Sequence, residues 1–193
     1  MKLIRFLKPM LAALLIVALV QSTGLMGTAS FLAQSVALST GFLDAGTEEL
    51  KSPKQFDYDF AIKDLSGAKI SFKKFQGKVV FLNMWATWCG PCRAEMADIQ
   101  KLYNIVDKDK VVFIMLSIDD DKNNARVVSY ISNKAFTFPV YMPSGYLPEQ
   151  LQVPSIPTTF VISKDGSVVA KEVGSKNYNT DKFKKFLEDL ANK

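Results

Sequence analysis

Histidine is absent from the 193-residue chain, and cysteine occurs only twice. Structural zinc sites take four Cys or His ligands, so these residues alone exclude a closed zinc centre. Acidic residues are missing from the first 43 positions, where the only charges are Lys2, Arg5 and Lys8. The net charge of +5 for the whole chain therefore falls to +2 after that segment, 21 basic residues against 19 acidic. The basic balance is thus largely an addressing signal. Lys182, Lys184, Lys185 and Lys193 alternate with an apolar stripe at helical spacing, the pattern of a solvated helix face, and no nucleic-acid partner is expected. Internal repeats and low-complexity tracts are also absent.

Met10 to Val20 is an unbroken run of eleven apolar residues behind the short basic start. That arrangement is an export signal, since a basic segment followed by roughly 7–15 apolar residues directs secretion. Two outcomes stay open. Small residues allow cleavage after Gly24, Ser30 or Ala37. Alternatively, the uncharged stretch from Pro9 to Ala33 is retained as an inner-membrane anchor with its basic end on the cytoplasmic side. No cysteine stands just after the run, which excludes a lipid-modified cysteine anchor. Residues 1–33 are accordingly expected to be a signal peptide or signal anchor and 34–54 a linker of small and polar residues. Residues 55–193 should form one domain on the periplasmic or cell-envelope side.

Within that domain, FDYDFAI and AKISF flank Asp64-Leu65-Ser66-Gly67 and predict a hairpin. Lys78–Trp85 and Val111–Ile118 are apolar on both faces, as buried strands are, except at Asn83. Helices are predicted over Pro91–Val106, Asn123–Ser132 and from Thr180 onward, with a strand at Thr137–Tyr141. Lys164-Asp165-Gly166 separates strands at Thr158–Ser163 and Ser167–Val173 as a second hairpin. This alternation predicts an α/β fold with a central mixed sheet.

The two cysteines, Cys89 and Cys92, enclose Gly90 and Pro91. A bridge across two residues closes too small a loop to stabilise a fold much, and it staples no distant segments. Exchange chemistry suits the pair, because one thiol attacks and its neighbour resolves the mixed disulfide. Cys89 follows a buried strand and enters a helix, where free backbone N–H groups favour its thiolate. Cys89 is thus the expected nucleophile, and Cys92, turned inward, the resolving thiol. Pro91 is well placed in a first helical turn. Glu95 shares the stripe of Cys92, Ile99, Leu102 and Val106, so a half-buried carboxyl with raised pKa is expected to exchange protons with Cys92.

Trp85-Ala86-Thr87-Trp88-Cys89-Gly90-Pro91-Cys92, with Ile156-Pro157-Thr158-Thr159-Phe160 downstream, resembles the thioredoxin superfamily and, within it, the TlpA/ResA-like thiol:disulfide interchange proteins. The resemblance runs from about Pro53 to the C-terminus. It implies a thioredoxin-like fold with an N-terminal β-hairpin and a strand-helix insertion near Asp121–Tyr141. It also implies a cis bond before Pro157, with Ile156 offering backbone to an extended substrate beside Cys89. Trp88, Gly90 and Pro91 join these as substrate-contacting residues, and Trp85 is expected in the core. Asn83 stands where thioredoxin has a buried aspartate, and Glu95, a residue common in this branch, takes over its proton. The implied activity is reduction of protein disulfides outside the cytoplasm. A membrane thiol-disulfide donor would supply electrons, cytochrome c maturation is a known service of the family, and no cofactor or metal is required. A monomer is expected.

Spacing argues against several other readings. Asp119-Asp120-Asp121 lacks the glycine and glutamate of a calcium loop, and its acids are expected to cap the following helix. Tyr141, Met142 and Tyr146 read as surface or core packing. A thiol peroxidase would place Thr three residues before its cysteine, where this chain has Ala86. An oxidase or isomerase would differ in reduction potential, and a passive peptide-binding groove in lacking turnover.

Overall fold

The computed structural model describes residues 35–38, 40–41 and 43–193, so the predicted signal or anchor, residues 1–33, lies outside the described residues. Among the described residues no helix is long and apolar enough to cross a membrane.

Among the described residues eight strands form one mixed sheet: β1 Lys54–Gln55, β2 Ala61–Asp64, β3 Lys69–Ser71, β4 Val79–Trp85, β5 Val111–Ser117, β6 Val140–Pro143, β7 Thr158–Ile162 and β8 Ser167–Val173. Their spatial order is β1-β8-β7-β4-β5-β6-β2-β3. β4, buried at all seven positions, occupies the centre. It runs parallel to β5 and antiparallel to β7, which places Asn83 opposite Thr159 and Met84 opposite Thr158. The β2–β3 hairpin turns where the Asp64 carboxylate accepts from Ser66 N and Ala68 N, with Gly67 at φ +90°. Short polar side chains and a residue free of Cβ are what such a turn demands.

Along β4 the side chains alternate between two cores. Val79, Phe81 and Trp85 point to the layer that also holds the buried faces of α1 Gly90–Ile105, α2 Asn124–Asn133 and α3 Asp181–Asn192. Val80, Leu82 and Met84 point to the opposite layer, built from Phe56, Tyr58, Phe60, Phe72 and Phe75 of the N-terminal segment. Phe72 sits at the centre of that layer, stacked on Phe60 at 4.4 Å and meeting Phe56, Tyr58 and Phe75 within 5.7 Å. By the same alternation Asn83 faces the helical layer, and a polar side chain there needs partners.

β6 begins at Val140 instead of Thr137. Pro139 has no N–H to give to a ladder; its carbonyl accepts from Met115 N at 3.2 Å, and paired register starts only with Met115 opposite Val140. β6 also pairs with β2, so the inserted α2–β6 segment joins the hairpin to the central sheet. Within the stretch expected to link, Ala45 N donates to Asn177 O, Asn177 N to Leu43 O and Leu50 N to Val169 O, while β1 pairs with β8. These bonds hold residues 43–55 against the domain.

Candidate active site

Strand β4 ends at Trp85, wholly buried against the Tyr130 ring at 5.8 Å. The chain then turns through Ala86-Thr87-Trp88, with Cys89 N donating to Ala86 O at 3.1 Å. Cys89 is the N-cap of α1, in extended conformation, and its Sγ accepts from Cys92 N at 3.2 Å. Pro91 lies in the first turn, and no acidic side chain stands there to offset the positive helix end. Unsatisfied N–H groups and the helix dipole are therefore directed at the Cys89 sulfur.

Cys89 and Cys92 are joined as a disulfide, with Cα atoms 5.3 Å apart. Cys92 is fully buried and Cys89 nearly so. The Cys89 sulfur is 3.8 Å from the Ile156 carbonyl oxygen, and Ile156–Pro157 is the cis bond implied by the resemblance. Trp88, 60% exposed, stands beside the pair at the surface. Ser175 Oγ donates to Pro91 O at 2.8 Å, tying the loop after β8 to the first turn of α1.

Behind the cysteines lies a buried polar network. Glu95, fully buried on α1, accepts from Asn83 Nδ2 at 2.8 Å on Oε1 and from Lys176 N at 3.0 Å on Oε2. Asn83 Nδ2 also donates to Thr159 Oγ1 at 2.8 Å, and Tyr178 Oη donates to the same oxygen at 2.7 Å. Burial pushes the Glu95 carboxyl up to about 8 against the opposing pull of those two donors. Loss of hydration disfavours the anion more than two hydrogen bonds restore it. Burial beside Glu95 also raises the Tyr178 phenol well above its ordinary value. The placement of Glu95 on the apolar stripe thus matches its helical spacing, and the burial is complete rather than partial.

The structure brings Cys89, Cys92, Gly90, Pro91, Ile156 and Pro157 to one end of the sheet, with Trp88 on the rim and Glu95 beneath. It departs from expectation at the acid run. Asp119 does not cap a helix: it is buried after β5, and accepts from Thr87 N, Thr87 Oγ1 and Ser117 Oγ at 2.8, 2.6 and 2.7 Å. Asp120 caps only the short 3-10 turn Asp121–Asn123, and Asp121 pairs with Lys63. The reason is geometric: the parallel β4–β5 pairing sets Trp85 beside Ser117, so the loops leaving both strands meet. Local pattern does not mark Thr159, Tyr178 or the Lys176 amide as polar partners, although Thr159 stands in the downstream motif; strand register and the loop before α3 bring them in. Only the buried-strand position of Asn83 signals that polar partners are required.

A pair of adjacent sulfurs at a helix entrance, a cis-proline facing them and this sheet order together make up a thioredoxin-like fold. The chain belongs to the Redoxin family, whose model matches residues 52–190. Thiol-disulfide oxidoreductase ResA of Bacillus cereus is 39% identical over 117 residues, covering 60% of this chain and 66%, just under two thirds, of that protein. Thioredoxin-like protein YneN of Bacillus subtilis (strain 168) is 32% identical over 170 residues, 88% of this chain and 92% of that one. Among solved structures, StoA from Bacillus subtilis superposes with a TM-score of 0.55 at 26% identity, covering 66% of this chain and 94% of StoA.

Proposed function

We propose that this chain is a thiol:disulfide oxidoreductase that works outside the cytoplasm as a reductase of protein disulfides, with Cys89 as nucleophile, Cys92 as resolving thiol and Glu95 as the proton acceptor for Cys92. The observation that carries the reading is the division of labour between the two sulfurs. One caps a helix beside the Ile156 carbonyl, and the other is sealed off above a buried carboxyl whose proton affinity lies near neutrality.

In the reduced protein the Cys89 thiolate attacks one sulfur of a client disulfide, and the other client sulfur leaves as a thiolate that takes a proton from solvent. In the ionised fraction of Glu95, which grows as pH approaches 8, the carboxylate takes the Cys92 proton, and the Cys92 thiolate attacks the Cys89 sulfur and expels the second client sulfur as a thiolate. Two electrons have moved from the dithiol to the client, and Cys89–Cys92 is left as a disulfide. A base whose pKa lies near the working pH is suited to that transfer. The Ile156 backbone offers a place for an extended client segment, flanked by Trp88, Gly90 and Pro91, to pair as an added strand.

The Gly90-Pro91 dipeptide, thioredoxin's own, supports the reducing direction. The basic start and apolar run support export, with retention in the inner membrane as anchor, and a membrane thiol-disulfide donor then returns the electrons. The protein acts as a monomer on protein disulfides, those of cytochrome c maturation among them.

The test is reduction of insulin disulfides by the reduced chain. Cys89→Ser is expected to abolish it, and Cys92→Ser to accumulate mixed disulfides through Cys89. Equilibration with a thiol buffer should give a potential nearer the roughly −270 mV of thioredoxin than the roughly −120 mV of a strong oxidant. Activity surviving in Cys89→Ser, or a potential at the oxidising end, overturns the proposal.

A further inference from the structure

We propose that Asp119 is a positioning residue that sets the redox poise of the cysteine pair: its buried negative charge, held against the loop that leads to Cys89, opposes the Cys89 thiolate and tilts the pair toward the disulfide, making the protein a stronger reductant. The proposal rests on the exchange chemistry described above and adds to it a group that touches neither cysteine.

The geometry is that of a clamp. Asp119 Oδ2 accepts from Thr87 N at 2.8 Å and from Ser117 Oγ at 2.7 Å, and Oδ1 accepts from Thr87 Oγ1 at 2.6 Å. Ile118 N donates to Trp85 O at 2.8 Å, and Cys89 N to Ala86 O, so the turn from Trp85 to Cys89 is held at both ends and in its middle. Asp119 is 5% exposed. All three donors to its carboxylate are neutral groups, so they orient the charge and offset it only in part. Thr87 and Cys89 are two residues apart, their Cα atoms at most about 7 Å from each other, which puts the charge within roughly 14 Å of the nucleophilic sulfur. At an effective dielectric constant of about 20, a like charge at that range is worth on the order of one pKa unit. The helix entrance favours the Cys89 thiolate and Asp119 counteracts it. A less stable thiolate makes the dithiol form less stable, and electrons are then given up more readily.

Other charged groups toward this end include Glu95 and Arg93 on α1, the latter over the Tyr130 ring of α2 at 5.6 Å, the Lys176–Glu172 pair behind Glu95, Lys122, and the Lys63–Asp121 pair beside Asp120. All of them persist when Asp119 alone is changed. Asp119→Asn is the informative variant. Its amide oxygen can accept from Thr87 N and Ser117 Oγ while its amide nitrogen donates to Thr87 Oγ1, so the clamp is kept and the charge is removed.

The experiment uses the purified full chain. The Cys89 thiol pKa is read from the pH dependence of alkylation by iodoacetamide, and the dithiol–disulfide equilibrium is measured against dithiothreitol at pH 9. Asp119→Asn is expected to lower the thiol pKa by about one unit and to shift the equilibrium up to about tenfold toward the dithiol, about 30 mV less negative. If both stay within about twofold of wild type while the unfolding midpoint falls, Asp119 is a structural strut and the proposal is overturned. Should Asp119→Asn fail to fold, Ser117→Ala keeps the charge and withdraws one donor. It is expected to shift the equilibrium about twofold the other way, and no shift, or one toward the dithiol, overturns the proposal. A wild-type chain that never equilibrates with dithiothreitol would instead sink the exchange reading, so the two failures are distinguishable.

Discussion

Asn83 donates to Glu95 Oε1 at 2.8 Å, joining the middle of the central strand to the first turns of the active-site helix below Cys92. Because Glu95 is wholly buried and its carboxyl is raised to about 8, this contact couples the protonation of the site to the stability of the fold.

The sign of that coupling is definite. An ordinary glutamate in the unfolded chain ionises near 4.5, whereas the folded protein holds the proton until about pH 8. Between those values the native state binds more protons than the unfolded state, so the Glu95 contribution to stability declines as pH rises and levels off above 8. Glu95→Gln removes this dependence. Urea unfolding of the oxidised protein at pH 5, 7 and 9 is expected to show the variant gaining on wild type by a few kcal/mol across the range. A difference that does not change with pH would mean that Glu95 ionises normally.

Trp88 is expected to matter to clients and not to chemistry. It presents its ring to solvent at the rim of the cysteine pair, away from the buried network. Trp88→Ala should slow reduction of insulin severalfold through a higher KM while leaving the rate with a small disulfide such as oxidised glutathione within about twofold. Equal loss with both substrates would assign the ring to the sulfurs themselves.

Phe72 holds the aromatic layer together. It is fully buried and stacks on Phe60 with Phe56, Tyr58 and Phe75 around it. Truncation leaves a cavity the size of a ring, so Phe72→Ala is expected to cost about 3–5 kcal/mol by urea denaturation. The insulin-reduction rate of the protein that remains folded should be unaffected, since the layer lies across the sheet from Glu95 and α1. A loss below about 1 kcal/mol would show that the layer collapses to fill the gap.

Thr180 caps α3, its Oγ1 accepting from Phe183 N at 3.1 Å. Thr180→Ala leaves that N–H without its partner and is expected to cost about 1 kcal/mol, whereas Thr180→Ser should be nearly neutral. Equal thermal midpoints for wild type and the alanine variant would refute the cap.

Much of this molecule was legible along the chain. The continuous apolar runs of β4 and β5, the Asp-Gly turn before β8 and the helical stripe of α3 mark elements within a residue or two of those observed, because local hydrophobic period and turn chemistry act over short separations. The cysteine pair at a strand-to-helix turn and the place of Glu95 on the inner stripe of α1 were likewise readable. The start of β6 was not, because the apolar pattern of Thr137–Tyr141 does not reveal that Pro139 withholds an amide from the ladder.

The sequence by itself determined which chemistry is present: two thiols in exchange spacing at a helix entrance, a carboxyl one turn on, and an uncharged central-strand amide. Only the tertiary structure decided who meets whom. The pairing of β4 with β7 sets Thr159 beside Asn83, the loop after β8 sends the Lys176 amide to Glu95, and the parallel β4–β5 register delivers Asp119 to Thr87. Those partners lie between 32 and 81 residues apart in the chain. No local preference encodes a contact at such separations; it follows from strand order and from the need of buried polar groups to be satisfied once the sheet has formed.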